Sequence, residues 1–279
     1  MRRWNRILFA GGVLLMLSGA LHIPMQFFAP RDWESLIGWR KPILFGLSTG
    51  MTLMSLAWVE SFISNRISRI VAAIVSILAV AEVAIITIQT WRGVPAHFND
   101  GAIFDQILGN SIDVMLIFIT LGIFYFTWRT LQTNLSNKVS SDYLSAIRLG
   151  MIYLSVACLL GFGVAIYGNY MLSVGGNPEV VNPNGVPKFV HGMPIHALQI
   201  LPIYLFVISL FNSNIKNRRK SVVFVAVAIA VSTVYAFWQT ANGLGRFDIN
   251  LIGVILLALF GLSGAIAFYY ALIKRADFR

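Results

Sequence analysis

The sequence predicts an all-α protein, a polytopic transmembrane helical bundle of eight spans with both termini in the cytoplasm. Its 279 residues are 57% hydrophobic and 11% charged, with a mean hydropathy of +0.75. A soluble domain carries about 25% charged residues. Apolar runs of about 20 residues recur along the whole chain, and that length matches the thickness of a bilayer.

The predicted spans form one integral membrane domain over residues 1–279. They cover about residues 7–29, 42–63, 67–91, 111–131, 146–174, 194–211, 221–241 and 249–273. The first apolar run continues past a cleavage-like Ser18-Gly19-Ala20 to Phe28, which favours a retained helix over a cleaved signal. In the second span, Gly46 and Gly50 have the small-xxx-small spacing that predicts close helix packing.

The net charge of +10 indicates membrane orientation rather than a nucleic-acid partner. No nucleic-acid-binding motif accompanies the basic residues. With the N-terminus inside, most of the 21 Lys and Arg residues fall in inner segments. The positive-inside rule therefore predicts cytoplasmic termini. The single cysteine, Cys158, excludes an intrachain disulfide or a cysteine metal cluster.

On this topology, the polar residues of the spans concentrate on the extracytoplasmic side. Glu82 and Gln89, seven residues apart, share one face of the third span. A carboxylate near the middle of a membrane helix costs about 2.5–3.5 kcal/mol on insertion scales, so a partner, ligand or proton must offset it. The pattern predicts a polar His/Glu/Gln pocket open to the outer side and covered by loops 92–110 and 175–193. Glu60, near the inner end of the second span, is expected to face water.

The segment from His191 to Pro202 leads into the sixth span. His196 and Gln199 are three residues apart and share a helix face, and His191 precedes them. Two interpretations are open. In one, His196 is an interfacial histidine and Gln199 a helix-packing residue, and in the other, the two belong to a catalytic or ligand-binding set. Histidines with a carboxylate could bind zinc, iron or haem, although the HExxH spacing is absent from the sequence. The sequence does not identify a cofactor, and the candidate metal ligands are His22, His97, His191 and His196.

Three functions are predicted from these residues. The first is a membrane-embedded enzyme acting on a lipophilic small molecule by proton transfer. The second is a transporter or solute- or ion-binding protein that uses Glu82, and the third is a haem- or metal-binding redox protein. The predicted catalytic residues are Glu82, His97, His191 and His196. The predicted substrate-binding residues are Lys41, Gln89, Arg92, Asn99, Asn169, Gln199 and Gln239. The predicted partners are the lipid bilayer and a lipophilic small molecule.

Several motifs together resemble a family of uncharacterised bacterial integral membrane proteins. The motifs are Lys41-Pro42, Glu82…Gln89-x-x-Arg92-Gly93-x-x-x-His97-Phe98-Asn99, Arg148-Leu149-Gly150 and His191-Gly192-x-x-x-His196-Ala197-Leu198-Gln199-x-Leu201-Pro202. The resemblance covers about residues 40–245. It implies a multi-pass protein of the bacterial inner membrane and no particular reaction. It also suggests that these polar positions act as one set.

Overall fold

A computed structural model describes residues 5–99, 101–135 and 137–273 of the chain. These residues contain ten α-helices and no β-strand. The helices are α1 (Arg6–His22), α2 (Met25–Phe28), α3 (Arg40–Ile63), α4 (Arg66–Arg92), α5 (Ile103–Gln132), α6 (Ser141–Ser173), α7 (Pro187–Gly192), α8 (Ala197–Ser209), α9 (Ile215–Ala241) and α10 (Leu251–Leu272).

Eight helical segments of the described chain are long and apolar enough to cross a membrane. Helices α1 and α2 together make one of these segments, and α7 and α8 together make another. The other six are single helices. This confirms the prediction of an all-α protein with eight apolar spans, and the protein is a multi-pass membrane protein.

Four of the predicted spans begin at least five residues later than the corresponding helices. The fifth was predicted from residue 146, but α6 begins at Ser141, and the seventh was predicted from residue 221, but α9 begins at Ile215. The fourth was predicted from residue 111, but α5 begins at Ile103 because Asp105 pairs with side chains of α4 instead of facing water. The sixth was predicted from residue 194, but α7 begins at Pro187. Proline favours the first turn of a helix, and Pro187 occupies that place in α7. Pro194, near which the predicted span began, lies in a turn between α7 and α8.

The chain forms two compact units, residues 1–126 and 127–279, and the boundary falls inside α5. In the first unit, α1 packs antiparallel against α3 through glycines. A Cβ atom on Gly46 would lie 2.7 Å from the Cα atom of Gly19, and one on Gly50 would lie 2.8 Å from the carbonyl oxygen of Gly12. The helices touch backbone to backbone here, which confirms the packing predicted for Gly46 and Gly50.

Helix α4 runs parallel to α1 in the same unit. The hydroxyl of Ser76 donates to the carbonyl oxygen of Ile7 at 3.1 Å, and the indole N–H of Trp91 donates to His22 Nε2 at 2.9 Å. Both pairs are 69 residues apart. The two helices therefore keep a constant register over four turns, which sets His22 at the level of the C-terminal end of α4.

The turn between α3 and α4 buries Glu60, which was wrongly expected to face water. Only 2% of this residue is exposed, and its carboxylate accepts a hydrogen bond from the Ser68 hydroxyl at 2.8 Å. Asn65 caps α4 by accepting from the Ser68 backbone N–H at 2.7 Å. The cap thus holds the serine hydroxyl beside the carboxylate, and the carboxylate needs no contact with water.

The second unit is held at one end by a buried ion pair and an asparagine. Asp142, at the start of α6, is fully buried and accepts from Arg218 Nε of α9 at 2.7 Å. Asn212 donates to the carbonyl oxygen of Ala271 at 2.8 Å, which satisfies the C-terminal end of α10. These contacts join the ends of three helices, while α8 and α9 pack through an apolar core that includes Leu201.

Candidate functional site

In the second unit, a break in a membrane-spanning segment carries two histidines. Helix α7 ends at Gly192, residues 193–196 form turns, and α8 begins at Ala197. His191 Nδ1 lies 2.7 Å from the carbonyl oxygen of Ala157 in α6. Because a carbonyl oxygen only accepts, the proton is on Nδ1 and the lone pair is on Nε2. Within the described residues, nothing hydrogen-bonds to that Nε2.

The position of the His191 ring depends on a glycine of α6. A Cβ atom on Gly161 would lie 3.1 Å from His191 Nδ1 and 3.2 Å from its Cε1 atom. That separation is shorter than ordinary van der Waals contact, so an alanine there would displace the imidazole. The glycine therefore lets α7 approach α6 closely enough for the hydrogen bond to Ala157.

Three of the predicted site residues come together at this break. His196, the last residue of the turn, is half-buried and interacts with the Gln199 side chain. His196 also interacts electrostatically with His191. The break therefore provides one histidine with an available lone pair, a second titratable histidine and an amide beside it. Such a set can accept, donate and orient a proton.

The other two predicted residues of the second unit have different surroundings. Gln239 is fully buried, and its amide N–H donates to the Asp248 carbonyl oxygen at 2.8 Å while its oxygen accepts from Asn250 at 2.6 Å. Its amide thus holds the connection between α9 and α10. Asn169 lies on an exposed face of α6.

In the first unit, Glu82 lies buried on α4 and interacts electrostatically with the carboxyl group of Asp113 on α5. No hydrogen bond reaches the Glu82 carboxyl from the described residues. Two nearby carboxyl groups in a low-dielectric environment repel each other when both are ionised. This arrangement can hold a proton or a cation.

Gln89 and Arg92 form a network with Asp105, a residue that sequence reasoning missed. Gln89, fully buried, donates to Asp105 Oδ1 at 3.2 Å, and Arg92 Nη1 donates to Gln89 Oε1 at 2.6 Å. Arg92 also forms an ion pair with Asp105. Two predicted substrate-binding residues therefore bind each other and the start of α5. An acidic residue is favoured in the first turn of a helix, and this could have pointed to Asp105 as part of α5. The predicted fourth span began at residue 111 and therefore left it out.

The loop after α4 contains two further candidates. The His97 ring packs 5.7 Å from the Phe45 ring, centroid to centroid. Asn99 donates to the Pro95 carbonyl oxygen at 2.6 Å and accepts from the Gly101 N–H at 2.9 Å. The asparagine therefore shapes its own loop. Lys41 is buried in the first turn of α3.

His22 has both ring nitrogens bonded to protein groups. Its Nδ1 lies 2.7 Å from the Ser18 carbonyl oxygen, and its Nε2 accepts from the Trp91 indole at 2.9 Å. Neither nitrogen has a lone pair left for a metal. Across residues 5–99, 101–135 and 137–273, no three His, Cys, Asp or Glu side chains lie together as a metal site.

A comparison with known protein families, curated proteins and solved structures found no match to this chain. The resemblance of the motifs to bacterial membrane proteins therefore stays a prediction.

Proposed function

We propose that this protein is an enzyme of the bacterial inner membrane that moves protons to or from a lipophilic small molecule, with His191 as the base. The observation that carries the proposal is the hydrogen bond from His191 Nδ1 to the Ala157 carbonyl oxygen. It leaves the basic lone pair on Nε2 and fixes the direction of the ring. General bases are commonly oriented in this way.

The surroundings of His191 give the other residues their roles. His196 returns or relays the proton, and Gln199 orients His196 through the interaction between their side chains. Non-helical backbone at membrane depth is tolerated where it lines a protein cavity or a water-filled one. The turn at residues 193–196 is therefore a suitable place for a polar reaction. The positive-inside distribution and the motif resemblance support an extracytoplasmic location in an inner membrane.

The test uses two substitutions at the same position. His191→Gln keeps an N–H group that can reach the Ala157 carbonyl but removes the basic ring nitrogen, whereas His191→Ala removes both. In a bacterial strain lacking the gene, each variant is expressed and the lipids and metabolites are profiled by mass spectrometry. We expect both variants to lose the same product, and His191→Gln to remain as helical and monodisperse as the wild type. A full product level with His191→Gln would contradict the proposal.

The carboxyl pair in the first unit favours a second candidate function, a proton- or cation-coupled transporter. Its support is the buried Glu82, which receives no hydrogen bond from the described residues and lies in the field of Asp113. In proteoliposomes with a pH-sensitive dye inside, Glu82→Gln would then abolish proton movement while His191→Gln would not. If His191→Gln loses the product and Glu82→Gln keeps both the product and the proton movement, the enzyme is supported.

A further inference from the structure

A groove of about 610 Å³ lies between the parallel helices α1 and α4, away from all the residues assigned above. Ala10 and Gly11 form its wall on α1, and Ile77, Val80 and Ala81 form its wall on α4. The Ser76 hydroxyl at its edge already donates to the Ile7 carbonyl oxygen. The lining is therefore apolar, and small residues on α1 create the space.

One end of the groove is formed by Arg6, an exposed cation. No hydrogen bond or ion pair to its side chain is formed by the described residues. Arg6 and Ser76 both line the groove. Ser76 comes ten residues after Arg66, the first residue of α4. Ten residues of α-helix rise about 15 Å, so Arg6 lies well within the length of α4. A cation near bilayer depth is costly unless an anion or water reaches it.

We propose that this groove binds a membrane lipid with an anionic phosphate headgroup. One acyl chain lies along Ala10, Ile77 and Ala81, and the phosphate pairs with the Arg6 guanidinium. The guanidinium presents a planar pair of donors that matches two phosphate oxygens. Burying the acyl chain removes no water here, so the gain comes from close packing and from the charge pair.

The charge pair predicts selectivity between lipids. Zwitterionic phosphatidylcholine carries a choline cation that opposes Arg6, whereas phosphatidylglycerol carries only the phosphate. A juxtamembrane Lys or Arg contributes about 1 kcal/mol to binding of anionic lipid, which corresponds to about fivefold in affinity. Phosphatidylglycerol should therefore occupy the groove about five times more strongly than phosphatidylcholine.

The experiment reconstitutes the full chain in vesicles of phosphatidylcholine and phosphatidylglycerol at a 9:1 ratio. In one sample a trace of the phosphatidylglycerol carries a photoreactive acyl chain, and in a parallel sample a trace of the phosphatidylcholine carries it. After illumination, mass spectrometry locates the lipid adducts on the protein. The expected adducts of the phosphatidylglycerol probe lie at Ile77, Val80 and Ala81. Arg6→Gln is expected to lower them about fivefold, and Ala10→Phe, which fills the groove from an exposed position, is expected to remove them.

Two matched variants serve as controls. Arg219→Gln removes an exposed arginine at the start of α9, and Ala258→Phe enlarges an exposed alanine of α10. Both should give wild-type labelling. Equal labelling by the two probes, or wild-type labelling of Arg6→Gln, overturns the proposal. Absence of lipid adducts from Ile77, Val80 and Ala81 also overturns it, because a lipid would then not be the occupant. Arg6→Lys, which keeps the charge, must retain most of the labelling.

Discussion

His22 and His191 differ in how many of their ring nitrogens are hydrogen-bonded to protein groups. His22 uses both nitrogens, one toward Ser18 and one toward Trp91, and so joins α1 to α4. His191 uses only Nδ1, and its Nε2 remains available within the described residues. In the sequence, both histidines lie beside apolar helices. The sequence cannot show which histidine has one bonded nitrogen and which has two, because that depends on which groups of other segments pack against each ring in the fold.

We expect Gly161→Ala to impair the proposed reaction without unfolding the protein. The added Cβ atom would lie 3.1 Å from His191 Nδ1 and push the ring off the Ala157 carbonyl oxygen. Loss of this hydrogen bond should cost about 1 kcal/mol of positioning energy, or about fivefold in rate. Product formation by the purified variant provides the measurement. Gly163→Ala is the control, because a Cβ atom there meets nothing within 4 Å, and equal rates in the two variants would contradict this role.

We expect Arg92→Gln to destabilise the first unit by about 2 kcal/mol. Removing the arginine leaves the Asp105 carboxylate buried without its charge partner, and an uncompensated buried charge is costly. The exposure of the Arg92 side chain, 41%, keeps the loss below that of a fully buried pair. Loss of helicity in detergent on titration with a denaturant gives the free energy of unfolding.

The double variant Arg92→Gln/Asp105→Asn should recover part of that stability, because it removes the unpaired charge as well. Glu34→Gln removes the ion pair between the buried Arg40, 9% exposed, and a glutamate that is 66% exposed. Because water screens this glutamate more than it screens Arg92, the expected loss is smaller, about 1 kcal/mol. A larger loss for Glu34→Gln than for Arg92→Gln would show that burial does not decide the strength of these pairs.

At the scale of helices, the contact between α1 and α3 is sensitive to a single methyl group. We expect Gly46→Ala to destabilise the protein by about 2 kcal/mol, because its Cβ atom would meet the backbone of Gly19 and force the helices apart. Gly264→Ala on α10 is the control, since its Cβ atom meets nothing within 4 Å. The midpoint of thermal aggregation compares the variants, and an equal midpoint for both would exclude a close contact.

The sequence predicted the helices through their apolar length and the α1–α3 contact through the spacing of Gly46 and Gly50. Among the helix starts that it placed too late, those of α5 and α7 have a physical explanation. A polar residue or a proline near a span end was assigned to a loop, although Asp105 is neutralised by partners on α4 and Pro187 begins a helical turn. The partners of Asp105 belong to another helix, so the residues around Asp105 in the sequence do not reveal that its charge is compensated.

For the whole chain, the distribution of Lys and Arg predicts an orientation that can be measured. In a cysteine-free Cys158→Ala background, single cysteines are placed at the exposed positions Asn184 and Ser213. We expect Asn184→Cys to react with a membrane-impermeant maleimide in intact bacterial cells, and Ser213→Cys to react only after permeabilisation. The reverse labelling would turn the orientation around and move the proposed reaction to the cytoplasmic side.

The candidate site was predictable in part from the residue types and their spacing. His196 and Gln199, three residues apart, do lie side by side, and His191 interacts with His196. Gln239 shows where this reasoning ends. Its amide looked available for a substrate, but it is bonded to Asp248 and Asn250 in the loop that follows α9. Only the folded path of that loop determines which groups reach the amide.

The short connection between α3 and α4 has a consequence for how the chain enters the membrane during synthesis. Only Ser64 and Asn65 separate the two helices, and the buried Glu60 is compensated by Ser68 on the far side of the turn. The carboxylate therefore gains its partner only after the first turn of α4 has left the ribosome. We expect α3 and α4 to leave the translocon as one helical hairpin. Nascent chains that end before Ser68 should remain extractable by alkali, and those that extend through α4 should not.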